Sequence, residues 1–137
     1  MTDAPSRPGG SASGARRWGP LAVWVTVLLV ATSWPSPRLP DVQGGDKVVH
    51  ALLYGVLAFL AWRAATPPGA IGSTGRLGRI VLVLAAASAF GWADEWHQQF
   101  IPGRSRDTAD WQADTAGALL GVLLAAASAT LHRPETT

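Results

Sequence analysis

Three polar strings interrupt an otherwise apolar chain of 137 residues. The first is Asp46, Lys47 and His50. The second is Asp94, Glu95, His97 and Gln98. The third is Arg104, Arg106, Asp107, Asp110 and Asp114. His50, Glu95 and Asp94 are of the types that exchange protons, and they are the candidate acid–base residues for catalysis. Lys47, His50, Glu95, Gln98, Arg104, Asp107 and Asp110 form the candidate ligand-binding set. In it Lys47 and the planar Arg104 fork suit a phosphate or carboxylate, as Arg106 also would.

Spacing places these groups on helical faces. Asp46, His50 and Tyr54 stand at i, i+4 and i+8, and Lys47 is three before His50, so they share a face. The plainer alternative is a helix-start Asp46 with Lys47 snorkelling to the headgroups. Asp94 is spaced to pair with Gln98, and Glu95 with Gln98 or Gln99. Adjacent residues lie roughly 100° apart on a helix, so Asp94 and Glu95 are expected to point in different directions. Glu95, Gln98 and Arg104 are expected in one network, and His97 at the interface. Asp107, Asp110 and Asp114 recur at i, i+3 and i+7. Capping accounts for the first two, but Asp114 lies one turn inside. Gly117 and Gly121 make a small-residue packing pattern that Ala113 extends.

His50, Glu95 and Asp114 could offer nitrogen and oxygen to a metal, but no His-x-x-x-His spacing supports one, and the reading is no metal and no cofactor. There is no cysteine, which removes disulfides and thiolate sites. No serine elbow, phosphate loop or dinucleotide fingerprint occurs. No Lys/Arg run with interleaved aromatics marks a nucleic-acid surface.

The positioning elements follow from hydropathy. Apolar residues make up 48% of the chain and charged ones 15%, well under the soluble norm of about a quarter. Apolar runs are apolar around the whole helix and near the roughly 17–25 residues that cross a hydrocarbon core. The sequence therefore predicts an all-α polytopic membrane protein with four transmembrane helices in a compact bundle, at about 18–34, 48–65, 77–100 and 110–131. Residues 1–15 read as a disordered tail, 16–131 as the membrane domain and 132–137 as a short C-terminal tail. Pro35, Pro37 and Pro40 extend the first loop. Residues 66–78 form a linker. The start resembles a signal peptide, with Arg16-Arg17 and small residues at Ala31-Thr32-Ser33, but the run is long for a signal core, and an uncleaved first helix is the expectation.

With the N-terminus inside, Arg7, Arg16, Arg17, Arg63, Arg76, Arg79 and Arg133 fall on the inner side. Arg38, Lys47, Arg104 and Arg106 fall on the outer side. The excess predicts that both termini are cytoplasmic. Trp18 and Trp62 then belong to the inner interface, Trp34, Trp92, Trp96 and Trp111 to the outer one, and Trp24 to mid-membrane. Charged groups at membrane depth are costly and face bundle interiors, so the polar strings converge in an outward-facing pocket between the second, third and fourth helices.

Asp46-Lys47-x-x-His50, Asp94-Glu95-x-x-Gln98-x-Phe100-x-Pro102-Gly103-Arg104 and Asp107-x-x-Asp110 followed by Gly117 resemble the VanZ-like family over about Val42 to Leu124. The family commonly has Asn where this chain has Asp114. The resemblance implies a small multi-pass bacterial membrane protein, and the name-giving member is associated with teicoplanin resistance. Three functions stay open. One is a protein that binds membrane lipids by an envelope headgroup, or that modulates the response to a glycopeptide-related ligand. Another is a membrane enzyme with His50 or a carboxylate as acid–base on a lipid-linked phosphorylated substrate. The last is a subunit whose polar network only locks helix packing. Under the first two, activity is expected to depend on pH near the ordinary histidine value of about 6.5.

Overall fold

The computed structural model describes residues 10–35, 45–67 and 73–131. It is all-α among these residues, with helices α1 (Gly10–Ser33), α2 (Gly45–Ala65), α3 (Ser73–Gln98) and α4 (Thr108–Leu131). Helix α1 begins at Gly10; residues 1–9, Pro37, Arg38 and Pro40, residues 68–72 of the second linker and the C-terminal tail lie outside the described residues.

Helices α2, α3 and α4 are each long and apolar enough to cross a membrane. Helix α1 differs from the expected fourth span for a simple reason. Any 18 consecutive residues within Gly10–Ser33 must include Arg16 and Arg17, which lower its hydropathy. Large apolar side chains such as Val23, Leu52, Leu82 and Leu124 are exposed on the bundle's outer surface. In water this surface would be a liability, and in hydrocarbon it is the expected exterior.

The helices alternate in direction. Arg17 Nη2 donates to the Ala64 carbonyl at 2.6 Å and Trp24 Nε1 to the Leu53 carbonyl at 3.0 Å, so α1 runs antiparallel to α2. Arg79 donates to the Ala65 carbonyl from the start of α3. These two arginines satisfy carbonyls that the end of α2 leaves without intrahelical partners. Trp111 Nε1 donates to the Ser88 carbonyl at 3.1 Å and Ser88 shares a hydroxyl bond with Thr115 at 2.9 Å, which sets α4 against α3.

Helices α2 and α4 run parallel and make the tightest seam. A Cβ on Gly117 would stand 1.9 Å from the Ala51 carbonyl oxygen, and one on Gly121 would stand 2.0 Å from that of Gly55. Only glycine permits this approach, so the Gly-x-x-x-Gly pattern fixes α4 on α2. Below the seam lies a core of Tyr54, Leu57, Ala58, Trp62, Ala118, Val122 and Ala125, joined by Leu28 from α1 and by Val83 and Ala87 from α3. Trp62 is 1% exposed. Its ring belongs to that core instead of the outer surface.

The end of α3 explains how the chain returns. Phe100 N and Ile101 N donate to the carbonyls of His97 and Gln98, each at 3.0 Å. Arg104 N then bonds the Ile101 carbonyl at 3.0 Å, with Gly103 at φ 84°. A turn with proline second and a positive-φ glycine third is a type II turn, and glycine is favoured there because it carries no Cβ. The turn aims Arg104 back at the bundle.

Candidate functional site

All four helices bring one end to the polar strings: the C-termini of α1 and α3 and the N-termini of α2 and α4. Asp107 is the N-cap of α4. Its Oδ1 accepts from Ala109 N at 2.8 Å, and its carbonyl accepts from Asp110 N at 3.2 Å. The capping bond, followed by the charge of Lys47, holds the Asp107 carboxyl below the usual carboxylate range. Lys47 Nζ lies among three carboxylates, at 3.0 Å from Asp110, 3.3 Å from Asp107 and 3.4 Å from Asp46. Snorkelling alone does not describe it, since it ties the start of α2 to the start of α4.

One turn deeper, His50 Nδ1 is 3.0 Å from Asp114 Oδ1, and its Nε2 is 3.8 Å from Asp110 Oδ2. Asp114 is fully buried. On the same face of α2, Tyr54 donates to Asp94 Oδ2 at 3.4 Å. The i, i+4 and i+8 reading of α2 therefore describes a real face, turned toward α3 and α4.

On α3 the structure keeps one expected pairing and changes the other. Gln98 Nε2 donates to Asp94 Oδ2 at 3.2 Å, as the spacing suggests. Glu95 pairs with neither Gln98 nor Gln99: its Oε2 accepts from Asp107 N at 2.8 Å, and Gln99 turns to the Trp96 carbonyl. Asp94 and Glu95 diverge, yet both are buried, because α2 and the start of α4 cover the two directions. The network through Arg104 is accordingly Asp94–Gln98–Arg104, with Arg104 Nη1 donating to Gln98 Oε1 at 3.2 Å, and Glu95 belongs to a separate branch. Arg104 also donates to the carbonyls of Trp34 at 3.2 Å and Ala31 at 3.1 Å, which fastens the end of α1. His97 is exposed, 3.4 Å from Ser33 Oγ.

These bonds redistribute the expected roles. Lys47 and Arg104 are occupied by acceptors within the protein. Arg106 instead extends over the Trp92 ring at 5.4 Å from its centroid. Trp92, Glu95, Arg106, Thr108 and Trp111 line a cleft of about 150 Å³. Trp92, Trp111 and Thr108 were not among the ligand-binding candidates, since aromatic residues near a membrane interface read as anchors. The signal available was that Trp92 and Glu95 are three apart, and that Thr108 and Trp111 are also three apart.

Among the described residues, six carboxyl groups gather at this end, Asp46, Asp94, Glu95, Asp107, Asp110 and Asp114, against the fixed cations Lys47, Arg104 and Arg106. Two carboxyl oxygens, Glu95 Oε1 and Asp114 Oδ2, are buried without a hydrogen-bond partner. Such atoms are uncommon in native interiors and call for an explanation.

Comparison with known proteins gives one partial likeness and one that spans most of the chain. Over 41 residues, 29% of this chain, it is 46% identical to a peptide methionine sulfoxide reductase MsrA of Geobacter metallireducens. That stretch is 25% of the reductase's length, too little to carry an argument about the whole protein. No solved structure matches. The sequence pattern of VanZ/LLP1 matches residues 12–129 and takes in every helix almost to its ends. With its membrane-crossing helices and its converging polar strings, the chain belongs to the VanZ/LLP1 family of membrane proteins.

Proposed function

We propose that the polar end of the bundle is a pocket for the headgroup of an envelope lipid. The observation that carries this reading is the cleft between Trp92 and Trp111, which holds one arginine not committed to a carbonyl or carboxylate, Arg106, and one buried carboxylate, Glu95. Indole rings suit the headgroup level of a bilayer, and a guanidinium fork suits a phosphodiester. The cleft opens at the helix ends, where a headgroup rests while its tails lie along the exposed apolar faces. Lys47 and Arg104 serve the pocket by holding α4 and α1 in place.

The arginine excess supports an orientation with both termini in the cytoplasm of the inner membrane and the pocket outside. Helix α1 acts as the fourth crossing: it reaches from Arg17 beside Ala64 to Ser33 beside His97, the full height of the bundle. Terminal reporter fusions test this, and a periplasmic C-terminus would reverse it. A glycopeptide response would follow from altered envelope lipids.

The lipid reading is tested by purifying the protein with its bound lipids and profiling their headgroups. Arg106→Gln is expected to lose one headgroup class while keeping its melting temperature. Identical lipid content in wild type and variant would overturn the reading. His50, held between Asp114 and Asp110, favours a second reading as an acid–base residue acting on a lipid-linked phosphorylated substrate. His50→Gln would then stop turnover and leave lipid retention intact.

A further inference from the structure

From His50, Glu95 and Asp114 we infer a binding site for one divalent transition-metal ion, zinc or manganese, contributed by α2, α3 and α4. Each of these side chains brings a possible ligand atom within 4.8 Å of the others. The absence of a helical metal motif does not count against this trio, because each ligand comes from a different helix. Tetrahedral zinc with bonds of about 2.0–2.1 Å places its ligands about 3.3 Å apart. Small side-chain rotations would reach that separation without moving a helix.

Two further observations point to an ion rather than to packing. Glu95 and Asp114 are 1% and 0% exposed, and each keeps a buried oxygen without a hydrogen-bond partner. Buried charges are paired or bind metals, since leaving them alone is costly. The histidine also has a carboxylate near its far nitrogen. With Nδ1 toward Asp114, its Nε2 faces Asp110 at 3.8 Å, and Asp110 is fixed by Lys47 at 3.0 Å. A carboxylate behind the far nitrogen of a ligating imidazole sets its tautomer. Binding through Nδ1 would require the neutral imidazole with its one ring proton on Nε2, so an imidazolium would release its Nδ1 proton to solvent.

One imidazole and two carboxylates suit zinc or manganese better than copper(I), which favours sulfur. Three protein ligands leave a coordination position open. Glu95 also lines the Trp92–Trp111 cleft, so the ion would be reached from there. The inference goes beyond the headgroup reading and is measured with metal alone, so either can fail without the other.

The test uses the full chain in detergent, stripped with chelator and then titrated with zinc or manganese chloride. Saturable binding of one ion per chain is expected, with an absorption-edge spectrum showing one imidazole among oxygen ligands. Glu95→Gln and Asp114→Asn should each weaken binding at least tenfold, and Asp110→Asn roughly 10–100-fold as an outer-shell change. His97→Gln, at an exposed histidine that meets Ser33 instead of the trio, should leave it unchanged. No saturable binding by the wild type, or a shell without imidazole, overturns the inference whether or not the variants fold. Unchanged affinity in a folded Glu95→Gln or Asp114→Asn protein also overturns it and leaves carboxyl protons as the account of the buried oxygens.

Discussion

Gly117→Ala should open the seam that holds the polar cluster together. The added Cβ would sit 1.9 Å from the Ala51 carbonyl oxygen, where ordinary contact begins at 3.4 Å, so the backbones must separate by 3.4 − 1.9 = 1.5 Å. Carbonyl and glycine both belong to helix backbone, and no side-chain rotation relieves the clash. Ala51 follows His50, and Gly117 is three residues from Asp114, so the displacement falls on their 3.0 Å bond and stretches it beyond hydrogen-bond range. Overpacking costs roughly 1–3 kcal/mol, and leaving a buried polar pair unmet adds about 1–3 kcal/mol. Better helix propensity returns about 1 kcal/mol. The net loss is roughly 1–5 kcal/mol, read as a lower melting temperature by tryptophan fluorescence in detergent or nanodiscs. Gly55→Ala is the internal control. Its Cβ would be 3.2 Å from the Gly117 carbonyl, only a few tenths of an ångström too close, and its melting temperature should stay near wild type. Equal stability of Gly117→Ala and Gly55→Ala would refute the argument that this contact sets the register of α2 on α4.

Asp107→Ala removes the N-cap of α4 and should cost roughly 0.5–2 kcal/mol, whereas Asp107→Asn keeps an acceptor for Ala109 N and should cost less; chemical denaturation of both checks the order. The Asp107 carboxyl is held low by that cap and by Lys47, with Asp46 opposing, so its contribution is full above the ordinary carboxylate range and is lost only as pH falls through the lowered value. The wild-type advantage over Asp107→Asn should therefore persist at neutral pH and vanish in acid, and an advantage that grew with acidity would contradict the capping account. Arg104→Met frees the carbonyls of Ala31 and Trp34, and hydrogen exchange should rise at the end of α1 while α2 and α4 stay protected. Trp62→Ala empties a fully buried slot and should destabilise by about 3–5 kcal/mol in a melting experiment, far more than Trp18→Ala on the exposed surface.

Much of this arrangement can be read from residue spacing. The apolar runs mark the helices, and helical periodicity on α2 identifies the face that carries His50 and Tyr54. The repeat of Asp107, Asp110 and Asp114 likewise becomes the face that meets Lys47 and His50. What spacing misses is partner choice between elements. Glu95 takes the backbone N–H of Asp107, and a bond to a loop amide leaves no trace in a side-chain pattern. Arg104 takes carbonyls of α1 for the same reason. Trp62 looks interfacial from its place near a helix end, but depth along a helix says nothing about which side of it faces the bundle.

The glycines and the charges of α2 and α4 act on one another. Along the seam the pairs run Lys47 with Asp110, His50 with Asp114, Ala51 with Gly117 and Gly55 with Gly121, so polar pairs occupy the outer rungs and backbone contacts the deeper ones. Polar contacts alone specify a register poorly, because Lys47 can reach several carboxylates. Backbone contacts specify it sharply, because only glycine fits opposite the Ala51 and Gly55 carbonyls. The deep rungs thus set the separation at which a half-buried histidine and a buried aspartate meet, and α3 closes over that point through Gly91. A Cβ there would be 3.1 Å from Asp114 and 3.2 Å from the Tyr54 ring. A larger residue at Gly91 would push Asp114 away from His50. Close packing at three glycines is therefore a condition for the geometry of the cluster, and substitutions there should loosen the His50–Asp114 contact before they prevent insertion.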